Sequence, residues 1–201
     1  MSSPPGKNRF DQARLINIAN GLTAMRLLLL PLFVYLLLAG KEKGALAVFA
    51  VCGFTDGLDG LLARRLRQRT ILGAYLDPIA DKLLMAAAFI VLSYIEIVPL
   101  WLTVLVISRD IFIVVGSSLY LLLIDATDIR PTAVSKLNTA VQILTVVFFL
   151  ACAAFPEIAR LLPGGEGSPV PSMIVGLCAF TTAVSGAQYL YMGIRTLSNE
   201  P

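Results

Sequence analysis

Four aspartates in a short stretch of the chain are the residues most able to do chemistry. Asp56 and Asp59 are three residues apart, and Asp77 and Asp81 are four apart. Residues at these spacings share one face of an α-helix, so two neighbouring helices would each present a pair of carboxylates. All four lie in or beside apolar segments long enough to cross a bilayer, where a charge is costly unless it meets protein, ion or water. The pattern therefore predicts a strong counter-charge, most simply a bound metal ion.

The donor set limits which metal this could be. The sequence contains no His, which removes the usual general base and the usual transition-metal ligand. Four carboxylates form an all-oxygen site, which suits Mg²⁺ or Mn²⁺ better than zinc and favours two ions over one. Two such ions can hold a pyrophosphate. The alternative is that the acids form plain ion pairs with nearby basic residues, namely Arg64, Arg65, Lys82 and Arg109.

The composition sets the class of protein that must position these acids. Of the 201 residues, 57% are hydrophobic and 14% are charged, whereas about one quarter of an ordinary soluble domain is charged. Long apolar runs predict an all-α membrane protein with six transmembrane helices. We expect a polar tail and a short interfacial helix in residues 1–21, followed by a single six-helix domain in residues 22–195.

The predicted spans follow from the apolar runs and from the Gly and Pro residues between them. Gly73 is expected at the bend before the third span, and Pro78 in the first turn of that helix. The expected spans are residues 22–39, 45–63, 74–95, 99–124, 133–155 and 171–194.

The distribution of Lys and Arg predicts the orientation. With the amino terminus inside, eleven basic residues lie at the inner side and three at the outer side, so both termini should be cytoplasmic. The acids between spans two and three then face the cytoplasm as well. No apolar run precedes residue 22, so no signal peptide is predicted, and we expect a bacterial cell membrane.

The acidic string resembles the signature of one enzyme family. Asp56-Gly57-Leu58-Asp59-Gly60-Leu61-Leu62-Ala63-Arg64, followed by Gly73, Asp77 and Asp81, is similar to the signature of the CDP-alcohol phosphatidyltransferases. The resemblance implies that an acceptor hydroxyl attacks the β-phosphorus of a CDP-linked lipid and that CMP leaves. It implies metal ligation by Asp56, Asp59 and Asp77, and a catalytic base, with a further contact to metal, in Asp81.

The same resemblance implies a nucleotide site. Residues 17–26 are similar to the corresponding segment of phosphatidylglycerophosphate and cardiolipin synthases, with Ala19 where those usually have Pro. For Arg26 the alternative is that its side chain extends to the membrane surface. The residues expected at the CDP site are Asn20, Thr23, Arg26, Gly60, Ala63 and Arg64.

Three further strings bear on the acceptor. Ser108-Arg109-Asp110, Ser135–Gln142 and Phe180-Thr181-Thr182-Ala183 together resemble the cardiolipin synthases of the CDP-diacylglycerol type. Arg109 and Lys136 are the residues expected to bind the phosphate of the acceptor lipid. Relatives that use glycerol 3-phosphate tend to carry a second lysine where Asn138 stands, so the resemblance favours phosphatidylglycerol, with glycerol 3-phosphate as the alternative.

Structural roles compete for several of these residues. Arg109 could instead form an ion pair with Asp110 or with a group on another helix. The polar residues of the last span could hydrogen-bond between helices rather than contact substrate, namely Thr181, Thr182, Ser185 and Gln188.

Two other classes of function compete with an enzyme. A transporter would use the intramembrane charges as an ion path, and a scaffold would use metal only to join two helices. The family resemblance implies a homodimer with CDP-diacylglycerol and an acceptor lipid as partners, and no nucleic acid.

Overall fold

The fold is built from helices. The computed structural model describes the backbone of residues 18–66, 71–124 and 132–198, and the side chains within 24–55, 79–116, 132–165 and 167–192. These parts contain helices and turns and no strand. The helices are α1 (Ile18–Leu38), α2 (Glu42–Leu66), α3 (Ile71–Tyr94), α4 (Leu100–Ile124), α5 (Ala133–Ala154), α6 (Pro156–Leu161) and α7 (Val170–Ser198).

Each of the six predicted spans coincides with one long helix, so the predicted helices are confirmed. The short helix α6 was not predicted. It exists because Pro156 cannot continue α5, which ends at Ala154, and instead starts a new turn. The predicted interfacial helix lies almost wholly in residues 1–17, outside the described part of the chain.

One detail of the third helix differs from the prediction. Since α3 begins at Ile71 rather than at residue 74, Gly73 and Pro78 lie inside the helix and not at the bend or in its first turn. Proline has no N–H, so Pro78 removes one backbone hydrogen bond of the helix.

The long helices pack in a closed order around a shared core. α1 contacts α2 and α3, α4 contacts α3 and α7, and α5 contacts α2, α3 and α7. The core includes Phe33 of α1, Phe49 of α2, Phe89 of α3 and Leu150 of α5, all 6% exposed or less. The ring centroids of Phe33 and Phe49 are 5.8 Å apart, which fits α1 closely against α2.

A tight turn allows that close packing of α1 and α2. Gly40 has φ +66°, a left-handed conformation that a residue with a side chain adopts only with strain. The Lys41 N–H donates to the Leu36 carbonyl at 2.8 Å, which closes the end of α1. The chain reverses within three residues, so α2 returns directly along α1.

Two helices of the described residues are long and apolar enough to cross a membrane by length and composition, namely Ala133–Ala154 and Val170–Met192. The surface of the bundle is also apolar. Each of the six long helices carries a large hydrophobic side chain that is more than half exposed, for example Leu28, Phe54, Ile90, Phe112, Leu144 and Phe180. Such a surface is typical of contact with lipid.

Candidate active site

The four aspartates lie on two helices that share a neighbour. Asp56 and Asp59 belong to α2, Asp77 and Asp81 to α3, and both helices pack against α1. The side chains of Asp56, Asp59 and Asp77 lie outside the described residues, so their convergence stays a prediction. Asp81 is described and is partly buried.

The residues expected at the CDP site are also divided between two helices. Asn20 and Thr23 lie on α1, and Gly60, Ala63 and Arg64 on α2; the side chains at these positions lie outside the described part.

Arg26 of α1 is described and is 2% exposed. It faces α2 in the vicinity of Cys52. A side chain this deeply buried does not extend to the membrane surface, so the alternative proposed for Arg26 is wrong. Its position on α1, next to the helix that carries Asp56 and Asp59, is compatible with a role at the same site.

Arg109 is the centre of a network that joins three helices. Its side chain is 4% exposed. Nη1 donates to Asp110 Oδ1 at 2.7 Å on α4, and Nη2 donates to Ser135 Oγ of α5 at 2.8 Å and to Ser185 Oγ of α7. The expected ion pair between Arg109 and Asp110 is thus present, and the guanidinium also holds α5 and α7 against α4.

Asp110 extends the network to α3. Its second oxygen, Oδ2, accepts a hydrogen bond from Lys82 Nζ at 2.7 Å. One carboxylate therefore serves two cations, Lys82 and Arg109. The sequence suggested Lys82 as a partner of the four clustered acids, but its described partner is Asp110. This contact could not be seen in the sequence because the two residues are 28 positions apart.

A row of hydrogen bonds joins α5 and its N-cap to α7, and we call it the polar seam. It is formed by Thr132, Asn138, Thr181, Thr182 and Gln188. Asn138 is fully buried, and its Oδ1 accepts from Thr181 Oγ1 at 2.9 Å and from Thr182 Oγ1 at 3.0 Å. Nearer the start of α5, Thr132 Oγ1 donates to Gln188 Oε1 at 3.2 Å. The predicted interhelical hydrogen bonds of α7 are confirmed. Asn138 belongs to this interface, and its effect on the choice of acceptor stays a prediction.

Lys136 lies apart from the seam. It is exposed, whereas the neighbouring Ser135 turns inward to Arg109. The structure thus does not bring Lys136 and Arg109 into one cluster.

The contribution of the polar seam to the free energy of unfolding can be measured with a substitution that removes one of its hydrogen bonds. Thr182→Val keeps the shape of the side chain but removes one hydrogen bond to Asn138. We expect it to lower the free energy of unfolding by about 0.6 kcal/mol, the usual value for an interhelical bond in a membrane protein. Thermal unfolding in detergent measures this. Thr139→Val is the matched control, because Thr139 Oγ1 donates within α5 to the Ser135 carbonyl; an equal loss in both variants would contradict the prediction.

Comparison with known proteins identifies the family. The sequence model described as CDP-alcohol phosphatidyltransferase matches residues 16–186. This chain belongs to the CDP-alcohol phosphatidyltransferase family.

Named relatives fall into two groups. The cardiolipin synthase (CMP-forming) of Rattus norvegicus is 34% identical over 197 residues, which is 90% of this chain and 62% of that protein. A "Probable phosphatidylglycerophosphate synthase" of Mycobacterium tuberculosis is 34% identical over 92% of this chain and 86% of its own length. The CDP-diacylglycerol–glycerol-3-phosphate 3-phosphatidyltransferase of Bacillus subtilis is 31% identical over 87% of this chain and 94% of its own length. The chain thus spans less than two thirds of the rat protein.

Proposed function

We propose that this protein is a membrane enzyme of phospholipid synthesis that transfers the phosphatidyl group of CDP-diacylglycerol to phosphatidylglycerol, giving cardiolipin and CMP. The observation that carries the proposal is membership of the family together with the complete acidic signature on α2 and α3. The similarity to cardiolipin synthases (CMP-forming) over 90% of the chain supports this acceptor.

Glycerol 3-phosphate is the second candidate acceptor. The relatives that are named as phosphatidylglycerophosphate-forming enzymes match this chain over 86% and 94% of their own length. This match over most of the length of two such enzymes is the observation that favours phosphatidylglycerophosphate synthesis.

The metal site is part of the proposal. Two ions, Mg²⁺ or Mn²⁺, would be held by Asp56, Asp59 and Asp77. Asp81 would make a further contact to metal. The donor set fits such ions because it consists of carboxylates on two helices that pack on a common neighbour. Metal at this place would neutralise charge on the pyrophosphate of CDP-diacylglycerol.

The chain's own residues would then carry the proton and the substrates. The acceptor hydroxyl gives its proton to the Asp81 carboxylate as its oxygen bonds to the β-phosphorus, and the bond to CMP breaks. Asn20, Thr23, Arg26, Gly60, Ala63 and Arg64 would bind CDP. Lys136, which is exposed, is a proposed contact of the acceptor phosphate, whereas Arg109, which is buried and apart from Lys136, would favour that phosphate through its charge.

A membrane arrangement is part of the proposal. We propose that α1 to α5 and α7 all span the bilayer as a single domain, after an interfacial helix in the amino-terminal residues. Exposed aromatic side chains lie near one end of the bundle, at Tyr35, Tyr94 and Trp101, as is typical of a membrane interface. The excess of Lys and Arg at the inner ends of the predicted spans supports an orientation with the acids on the cytoplasmic side of a bacterial cell membrane. A homodimer is proposed from the family alone.

CMP release tests the function. We expect the protein, purified in detergent with Mn²⁺ or Mg²⁺ and CDP-diacylglycerol, to release CMP when phosphatidylglycerol is added and to stop when EDTA removes the metal. CMP with glycerol 3-phosphate but not with phosphatidylglycerol would select the second candidate. Stability that depends on metal without any CMP would indicate a scaffold, and ion flux in vesicles without CMP would indicate a transporter.

A further inference from the structure

Lys82 lies near the middle of α3 along its length, where a charge in a membrane-spanning helix is costly. It precedes Tyr94, the last residue of α3, by 12 positions, which places it about 18 Å from the outer end of the helix. A bilayer core is about 30 Å thick, so Lys82 lies within it if α3 spans the membrane. Its ammonium group lies 2.7 Å from Asp110 of α4, so it extends sideways to the neighbouring helix rather than towards the membrane surface.

Among the side chains that the structure describes, the charges bonded within the Lys82–Asp110–Arg109 cluster do not balance. Lys82 and Arg109 contribute two positive charges and Asp110 one negative charge, which leaves a net charge of +1. The neutral groups bonded to this cluster are the hydroxyls of Ser135 and Ser185. Asp81, the next carboxylate on α3, serves the metal and the acceptor proton in the proposed function. An apolar environment disfavours an uncompensated charge, so the cluster favours a bound anion.

The side chains of Lys82 and Arg109 differ in their exposure. The side chain of Arg109 is 4% exposed and its Nη1 and Nη2 atoms are engaged by Asp110, Ser135 and Ser185. The side chain of Lys82 is 36% exposed. An ammonium has three N–H donors and Asp110 takes one of them. Lys82 is therefore the cation of this cluster that an incoming anion can reach.

We propose that Lys82, the residue after Asp81 on α3, binds a phosphate oxygen of a lipid substrate, and that Asp110 is the residue that positions it. This inference rests on the proposed function and adds a contact to its site. The phosphate ester has two sources, the phosphodiester of phosphatidylglycerol and the diphosphate of CDP-diacylglycerol. Both present an anionic oxygen that matches the net charge of the cluster.

Substitution of Lys82 tests the proposal. Lys82→Gln keeps an N–H donor for Asp110 but removes the charge. We expect the KM for one of the two lipids to rise about 10- to 100-fold, the range for a hydrogen bond to a charged group, with a smaller change in kcat. Lys82→Arg keeps the charge and should retain most of the affinity. Lys41→Gln, an exposed lysine at the α1–α2 turn, is the matched control and should leave both KM values unchanged.

A binding measurement separates this inference from the proposed function. Phosphatidylglycerol and CDP-diacylglycerol should each be tested for raising the thermal unfolding temperature, with diacylglycerol as the phosphate-free control. Loss of the rise in Lys82→Gln for one anionic lipid supports the proposal and identifies the source of the phosphate. If wild type releases no CMP with any acceptor, the proposed function fails, but these shifts still test Lys82. Unchanged KM values and unchanged shifts, even with a lower unfolding temperature, would overturn the inference.

Discussion

Asp81→Asn should lower CMP release by about 10²- to 10⁴-fold, the usual contribution of a general base. The amide has nearly the same shape as the carboxylate but cannot accept the proton of the acceptor hydroxyl. No His is present in the sequence to replace it. Binding of Mn²⁺ should stay close to that of wild type, because the proposal assigns the metal chiefly to Asp56, Asp59 and Asp77.

Turnover and Mn²⁺ binding should both be measured on the same preparation of each variant. CMP release gives turnover, and titration with Mn²⁺ followed by electron paramagnetic resonance gives metal binding. Glu157→Gln is a suitable control, since it makes the same chemical change on the exposed face of α6. Near-normal turnover in Asp81→Asn would show that Asp81 is not the base. A loss of turnover together with loss of Mn²⁺ binding would make Asp81 a metal ligand first.

The sequence predicted the helices well because the signals for them are local. Apolar runs and the Gly and Pro residues between them determine where each long helix begins and ends, as at Gly40 and Pro156. The start of α3 was less predictable. Gly73 was expected at a bend before the helix and Pro78 in its first turn, whereas α3 already begins at Ile71 and both residues lie inside it.

The polar contacts between helices were only partly predictable. The segment Ser135–Gln142 was singled out in the sequence, and its residues Asn138 and Gln142 are buried. Spacing does not show which neighbouring helix that segment meets, so the bonds from Thr181 and Thr182 to Asn138 were recognised from one side only. The shared use of Asp110 depends on packing of α3 against α4, which no local pattern encodes.

Arg109→Ala should cause a larger loss of stability than any of the other substitutions named above. It leaves the hydroxyls of Ser135 and Ser185 without their donor and removes one of the two cations on Asp110. Since Asp110 keeps its bond from Lys82, the loss comes mainly from the hydroxyls left without a donor, at about 1–3 kcal/mol for each unsatisfied buried group. Thermal unfolding in detergent should therefore show a clear decrease, whereas Arg160→Ala, on the exposed part of α6, should have little effect.

Arg109→Ala should also affect the KM values of the two lipid substrates differently. Without Arg109, Asp110 neutralises Lys82 fully, and the net charge of the cluster falls from +1 to zero. Because Arg109 is proposed to act at the acceptor phosphate, we expect the KM for phosphatidylglycerol to rise more than the KM for CDP-diacylglycerol. Arg109→Lys keeps a positive charge but not the planar fork, so it should preserve more of the acceptor affinity than of the stability. If the acceptor KM is unchanged in a folded Arg109 variant, Arg109 only joins the helices and the acceptor phosphate binds elsewhere.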